Sequence, residues 1–220
     1  DDPRCGMAYW GLAMSYYHPL WAPPDPIALR KGWAAVQRAR EMEGTSERER
    51  AYIDAIAVFY KDWDKTDHRA RSLAYCEAMK RLHERYPEDR EAAIFYALSL
   101  IGTGRPEDKA YSRQRQAAAI LERVQVEMPD HPGVVHYIIH AYDSPPLAEL
   151  ALPAARRYAR VAPAVPHAQH MPSHIFTRLG LWEESIKSNE DSVTSAKAYA
   201  RKVGMEGVWD EQIHSMDYLA

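Results

Sequence analysis

The chain has 220 residues, of which 46% are hydrophobic, and a formal net charge of −3. This apolar content is sufficient for a core, and the small acidic charge, without any run of lysine and arginine, gives no electrostatic case for binding nucleic acid. No stretch approaches the roughly 18 consecutive apolar residues of a transmembrane helix, so the sequence predicts no membrane span.

Apolar residues recur at helical spacing along the whole chain, strand-like alternation is absent, and proline or glycine separates the segments. The pattern therefore predicts an all-α fold with about 65–75% helix, well above the usual share of about one third. The predicted helices cover residues 4–18, 26–43, 46–62, 67–86, 88–101, 107–128, 132–143, 146–161, 167–179, 181–203 and 208–220.

Several predicted helices have start and stop signals. Ser46 and Glu49 have the spacing of a capping box, and Asp67 can cap the next helix. Because proline cannot continue a helix, three prolines are expected to close helix pairs. They are Pro87, Pro129 and Pro163.

Two histidine pairs of the same spacing stand out, His136-x3-His140 and His170-x3-His174. An i, i+4 pair places both imidazoles on one face of a helix. The two pairs are separated by 34 residues, which is the length of a common helical repeat. The sequence therefore predicts four imidazoles on equivalent faces of neighbouring helix pairs.

The first repeat contains a large aromatic residue, then leucine, a small residue and tyrosine, at Tyr9, Leu12, Ala13 and Tyr16. This pattern resembles tetratricopeptide repeats, in which the small residue lets two helices approach closely. The fourth repeat has Tyr142, Ala151 and Pro163 at matching places. The resemblance implies an α-solenoid of about five antiparallel helix pairs, a single domain over residues 1–220 that is a fragment of a longer solenoid.

A second resemblance is to a group of bacterial repeat proteins with segments such as DPxCxMAYWGLAM, HPLWxPP, PDHPGxxHYxIHAYD and PHAxHMPSHIFxRLGxW. All four segments occur here, between Asp2 and Trp182. Members of this group often have a secretion signal, so the resemblance implies a periplasmic or secreted bacterial protein.

In tetratricopeptide proteins the first helix of each pair lines a concave groove. By that resemblance, His136 and His140 occupy the fifth and ninth positions of the fourth repeat, and His170 and His174 occupy those of the fifth. Further groove positions fall on His167, Asp143, His214 and, one turn later, Asp217. The groove is therefore expected to be rich in imidazoles.

Clustered neutral imidazoles are favoured ligands of Zn, Cu, Fe and Ni. The primary hypothesis is a groove that binds a divalent transition metal through His136, His140, His170 and His174. Four more residues are predicted as additional ligands or as partners of the ligands. They are His167, His214, Asp143 and Asp217.

Two alternatives stay open. One is a scaffold that binds a peptide or protein partner in the groove without metal, with histidines as polar contacts. The other is a metal-dependent enzyme in which Asp143 or Asp217 acts as general base on metal-bound water. The segment HYIIH lacks the glutamate of HExxH, so the sequence does not identify catalytic residues.

Pro172 lies between His170 and His174, where it removes a helical hydrogen bond. Either the helix begins near Met171 with Pro172 in its first turn, or it kinks at Pro172. In the first case His167 and His170 are expected on an extended lead-in, and the i, i+4 argument fails for His170 and His174.

Overall fold

A computed structural model describes residues 4–20 and 22–220. Of the predicted domain 1–220, residues 1–3 and 21 lie outside this description. The described residues form helices, turns and bends without a β-strand, and their helical share falls within the predicted range. The first six helices are α1 (Gly6–Ser15), α2 (Pro26–Glu41), α3 (Glu47–Tyr60), α4 (His68–Arg85), α5 (Arg90–Gly102) and α6 (Ser112–Glu127).

The remaining helices are α7 (Pro132–Tyr142), α8 (Ala148–Val161), α9 (Pro166–His170), α10 (Pro172–Leu179), α11 (Trp182–Val203) and α12 (Asp210–Asp217). They contain the histidines of the predicted metal site and Asp217, and Asp143 follows the last residue of α7.

The chain divides into two compact units, Asp1–Ala117 and Ala118–Ala220, with the boundary inside α6. In each unit the helices pack in neighbouring pairs. The predicted metal site lies wholly in the second unit. The single repeat domain expected over 1–220 stays a prediction.

In the first unit, α1 packs on α2 and α3 packs on α4. Gly32 on α2 lies so close to the Tyr60 ring that a Cβ atom there would overlap it. The Tyr60 hydroxyl is buried and donates a hydrogen bond to the Ala13 carbonyl at 2.7 Å. The predicted capping box of Ser46 and Glu49 and the Asp67 cap are both confirmed.

In the second unit, α8 packs on α7 and α10, and α11 packs on α9, α10 and α12. Fully buried Ile139 and Met171 belong to its core. Burying a side chain of this size stabilises a fold by about 1.5–3 kcal/mol. Contacts of α9 with α10 and α12, and of α7 with α10, bring the four histidine-bearing helices together.

Two predicted helices differ from the structure. The helix expected at 107–128 begins only at Ser112, because the Asp108 carboxylate accepts hydrogen bonds from the Ala110 and Ser112 amides in the preceding turns. The helix expected at 167–179 is two helices, α9 and α10, which meet at Met171.

None of the described helices combines the length and the apolar content that crossing a membrane requires.

Candidate metal centre

Helix α7 positions the first histidine pair. Pro132 occupies its first turn, and the His131 ring accepts a hydrogen bond from the Val134 amide at 3.3 Å, which caps the helix start. One face of α7 is buried through residues such as Ile138 and Ile139. His136 and His140 lie one turn apart on this helix, as predicted.

The second pair spans the junction of α9 and α10. Pro172 is the first residue of α10, where its missing N–H costs nothing, so the first of the two alternatives describes α10 correctly. The expected extended lead-in is wrong, because His167 and His170 lie on the short helix α9. Met171 keeps helical dihedral angles of φ −52° and ψ −35°. His174 therefore remains one turn from His170 despite the break.

The histidines form two groups, each with three ligand nitrogens within 4.8 Å of one another. The first triad consists of His136, His140 and His167. The Nε2 atom of His136 lies 3.0 Å from the Nε2 atom of His140 and 3.2 Å from that of His167. Two nitrogens at about 2.0–2.1 Å from one tetrahedral zinc ion would lie roughly 3.3 Å apart. The nitrogen separations in the first triad are therefore close to those expected around one zinc ion.

Hydrogen bonds alone do not account for these contacts. The Nε2 atom of a neutral imidazole has either one proton or one lone pair. The Nε2 atom of His136 can therefore form a hydrogen bond with His140 or with His167, but not with both. A cation that accepts all three lone pairs removes this conflict. Tyr137 and Tyr158 stack on the His136 ring, each with ring centroids 5.3 Å apart.

The second triad consists of His170, His174 and His214, and the Nε2 atoms of His170 and His174 are 3.0 Å apart. The Nδ1 atom of His174 lies 2.9 Å from a carboxylate oxygen of Asp143, which can only accept a hydrogen bond. His174 therefore has its proton on Nδ1. In the neutral ring, its Nε2 atom presents a lone pair to His170.

Asn189 determines the tautomer of His170. The Asn189 side-chain amide donates to the Ser185 carbonyl at 2.9 Å, so its oxygen faces Nδ1 of His170, at 2.7 Å. That oxygen accepts the Nδ1 proton, which leaves the lone pair of His170 on Nε2. Two lone pairs therefore face each other across the 3.0 Å gap between His170 and His174.

The first triad has a carboxylate partner as well. Nδ1 of His167 lies 3.4 Å from a carboxylate oxygen of Glu211. The adjacent His167 imidazole is the main cause that lowers the pKa of Glu211. Protein metal sites commonly place a carboxylate or carbonyl oxygen at the non-ligating nitrogen of a histidine, which orients the ring.

Burial keeps the central imidazoles neutral. Desolvation is the largest cause that lowers the pKa of His140 to about 3 and that of His170 to about 3. It also lowers the pKa of His136 well below its ordinary value, and neighbouring histidines add to the effect. A proton on His136, His140 or His170 is therefore disfavoured at neutral pH.

The structure divides the predicted ligand set. His136 and His140 belong to one triad and His170 and His174 to the other, while the rings of His140 and His174 remain close, with centroids 6.4 Å apart. The predicted additional histidines join them, His167 in the first triad and His214 in the second. That all four ligands hold a single ion stays a prediction.

The two predicted aspartates occupy different places. One Asp143 oxygen accepts from His174 and the other from Nε of Arg178, at 3.0 Å. Its pKa falls to about 2 because these hydrogen bonds and the adjacent charges outweigh the opposing effect of burial. Asp217 lies exposed at the end of α12, and neither triad includes it.

Sequence reasoning missed Asn189, Glu211 and Tyr218. Asn189 lies on a buried face of α11 that is otherwise made of small residues, and this unusual polar stripe was a visible signal. Glu211 precedes His214 by one helical turn, a spacing that places both on one face of α12. Tyr218 follows α12, and its hydroxyl lies 3.3 Å from Nε2 of His174.

A cavity of about 770 Å³ borders the second triad. Asp143, His174 and Tyr218 contribute to its polar wall, and Trp182 and Ile186 to its apolar wall. The second triad can therefore be reached from this cavity. No protein-family model matches the chain, and the curated proteins include no relative that matches it.

Proposed function

We propose that the second unit binds a divalent transition metal through its six clustered histidines, on a helical scaffold of the tetratricopeptide type. The observation that carries this proposal is the pair of facing lone pairs on His170 and His174, 3.0 Å apart. Burying two acceptors against each other is unfavourable unless a cation lies between them. We infer that a metal ion is that cation, because burial lowers the pKa of His170 and so disfavours a proton on its Nε2 atom.

The donor set narrows the kind of metal. All six side chains are imidazoles, and their partners at Nδ1 include an amide oxygen and carboxylates. Imidazole suits Zn, Cu, Ni and Fe, whereas Mg and Ca prefer oxygen ligands. We therefore expect a metal from the group Zn, Cu, Ni and Fe to bind in preference to Mg or Ca, and Zn and Cu serve as the test ions.

A hydrolytic role for Asp143 has little support. Both of its carboxylate oxygens already accept hydrogen bonds, and a carboxylate with a pKa of about 2 is a weak base. Its position instead suits a residue that orients His174. The enzyme alternative would therefore need a base other than Asp143.

Metal analysis separates metal binding from a metal-free peptide scaffold. The purified chain is freed of metal with a chelator, dialysed against Zn²⁺ or Cu²⁺ and passed through a desalting column, and bound metal is measured by plasma mass spectrometry. We expect tightly bound Zn or Cu and a higher melting temperature in the loaded protein. The matched control is His18→Ala, which removes an exposed histidine of the first unit. Retention of no metal by the unaltered chain would overturn the proposal.

A further inference from the structure

The six histidines are too many for one ion in the arrangement observed. Each triad brings its ligand nitrogens within 4.8 Å of one another, but the six nitrogens do not form one such set. An octahedral ion with six nitrogens at about 2.1 Å would hold all of them within roughly 4.2 Å of one another. A single six-coordinate ion therefore does not fit.

Each triad also has its own carboxylate. Glu211 lies at Nδ1 of His167 in the first triad, and Asp143 lies at Nδ1 of His174 in the second. Each carboxylate faces the non-ligating nitrogen of one histidine, a position from which it can orient that ring. One carboxylate at each triad is expected if each triad binds its own ion, whereas a single ion would need only one of them.

The two triads are adjacent. The rings of His167 and His170, which belong to different triads, have centroids 6.2 Å apart, and those of His140 and His174 are 6.4 Å apart. His167 and His170 both lie on α9, so this short helix contributes one ligand to each triad. Ions in the two triads would therefore be close neighbours in one centre.

We propose that the second unit holds a dinuclear transition-metal centre, with one ion bound by His136, His140 and His167 and the other by His170, His174 and His214. This inference rests on the proposed function. Three histidines leave a tetrahedral ion one further position for water or another ligand. For the second ion, the cavity that borders His174 provides room for such a ligand.

Stoichiometry tests the proposal. The metal-free chain is titrated with Zn²⁺ by calorimetry, and bound zinc is counted by plasma mass spectrometry after desalting. We expect two ions per chain, and one ion per chain in each of the single variants His167→Ala and His214→Ala. The variant His18→Ala is the control and should retain two. Circular dichroism checks that the helical content of every variant is unchanged.

A spectroscopic measurement on the unaltered chain avoids any effect of the variants on folding. When loaded with Cu²⁺, two adjacent ions should couple magnetically, so that the electron paramagnetic resonance signal of isolated copper is weakened and a half-field transition appears. One ion per chain with an uncoupled copper signal would overturn the dinuclear centre but leave metal binding standing. No bound ion would overturn the proposed function itself.

Discussion

The Nε2 atoms of His170 and His174 lie 3.0 Å apart, although Pro172 interrupts the helix between them. The Nδ1 atom of His170 is held by Asn189, and that of His174 is held by Asp143. These two partners determine which nitrogen of each ring faces the proposed ion. They therefore lead to a prediction about residues that do not themselves bind the metal.

Replacement of either partner is expected to weaken metal binding without removing a ligand. Asn189→Ala removes the hydrogen-bond acceptor of the His170 Nδ1–H group, and Asp143→Ala removes that of His174. Each ring can then turn or change tautomer. Loss of such a partner typically reduces affinity by about 10–100-fold. Competition with a chromophoric zinc chelator measures the change.

The control for this experiment is Asp191→Ala, which removes a carboxylate on α11 that forms an ion pair with Lys187. Its zinc affinity should equal that of the unaltered chain. Unchanged affinity in Asn189→Ala and Asp143→Ala would show that the second triad does not bind zinc.

The double variant His140→Ala, His174→Ala removes one ligand from each triad. We expect it to lose zinc at both positions after desalting, because a two-histidine set binds much more weakly than a three-histidine set. Helical content should persist, since most of the buried apolar residues of the second unit remain. Plasma mass spectrometry and circular dichroism measure the two outcomes, and full zinc content in the double variant would contradict the site.

The metal-free protein should lose stability as the pH falls below about 6.5. Unfolded histidines take up protons near pH 6.5, whereas folded His140 and His170 do so only near pH 3. Between these values the unfolded state binds more protons, so each of the two histidines lowers the free energy of unfolding by about 1.4 kcal/mol per pH unit. The depressed pKa of Asp143 acts in the same direction below about pH 4.

Urea unfolding at pH 7, 6 and 5 in the presence of a chelator measures this dependence. The variant His140→Gln, His170→Gln keeps polar side chains that do not titrate, and its free energy of unfolding should vary less with pH. An equally steep pH dependence in the variant would show that other groups cause it.

Two glycines of the first unit form a matched pair for testing helix packing. Gly32→Ala should destabilise the protein by about 1–3 kcal/mol, because the new methyl group overlaps the Tyr60 ring at a closely packed position. Gly11→Ala, within α1, adds a methyl group with no heavy atom within 4 Å and should stabilise the helix by up to about 1 kcal/mol. Thermal unfolding should show a lower melting temperature for Gly32→Ala and a higher one for Gly11→Ala.

The sequence alone determined the helical character of the chain and most helix positions. Helical periodicity and local caps, such as Ser46 with Glu49 and Asp67, depend on residues within one or two turns, so they can be read directly. The spacing of His136 and His140 predicted their shared face for the same reason. At Pro172 the sequence left two alternatives, because proline suits both the first turn of a helix and a kink.

Only the tertiary structure decided how the histidines divide and what holds them. Whether His167 joins His136 or His170 depends on the packing of α9 against its neighbours, which no local pattern contains. Asn189 and Glu211 come from α11 and α12, and their roles arise from contacts between helices. Helix formation depends on short-range interactions, whereas ligand geometry depends on the positions of several helices at once.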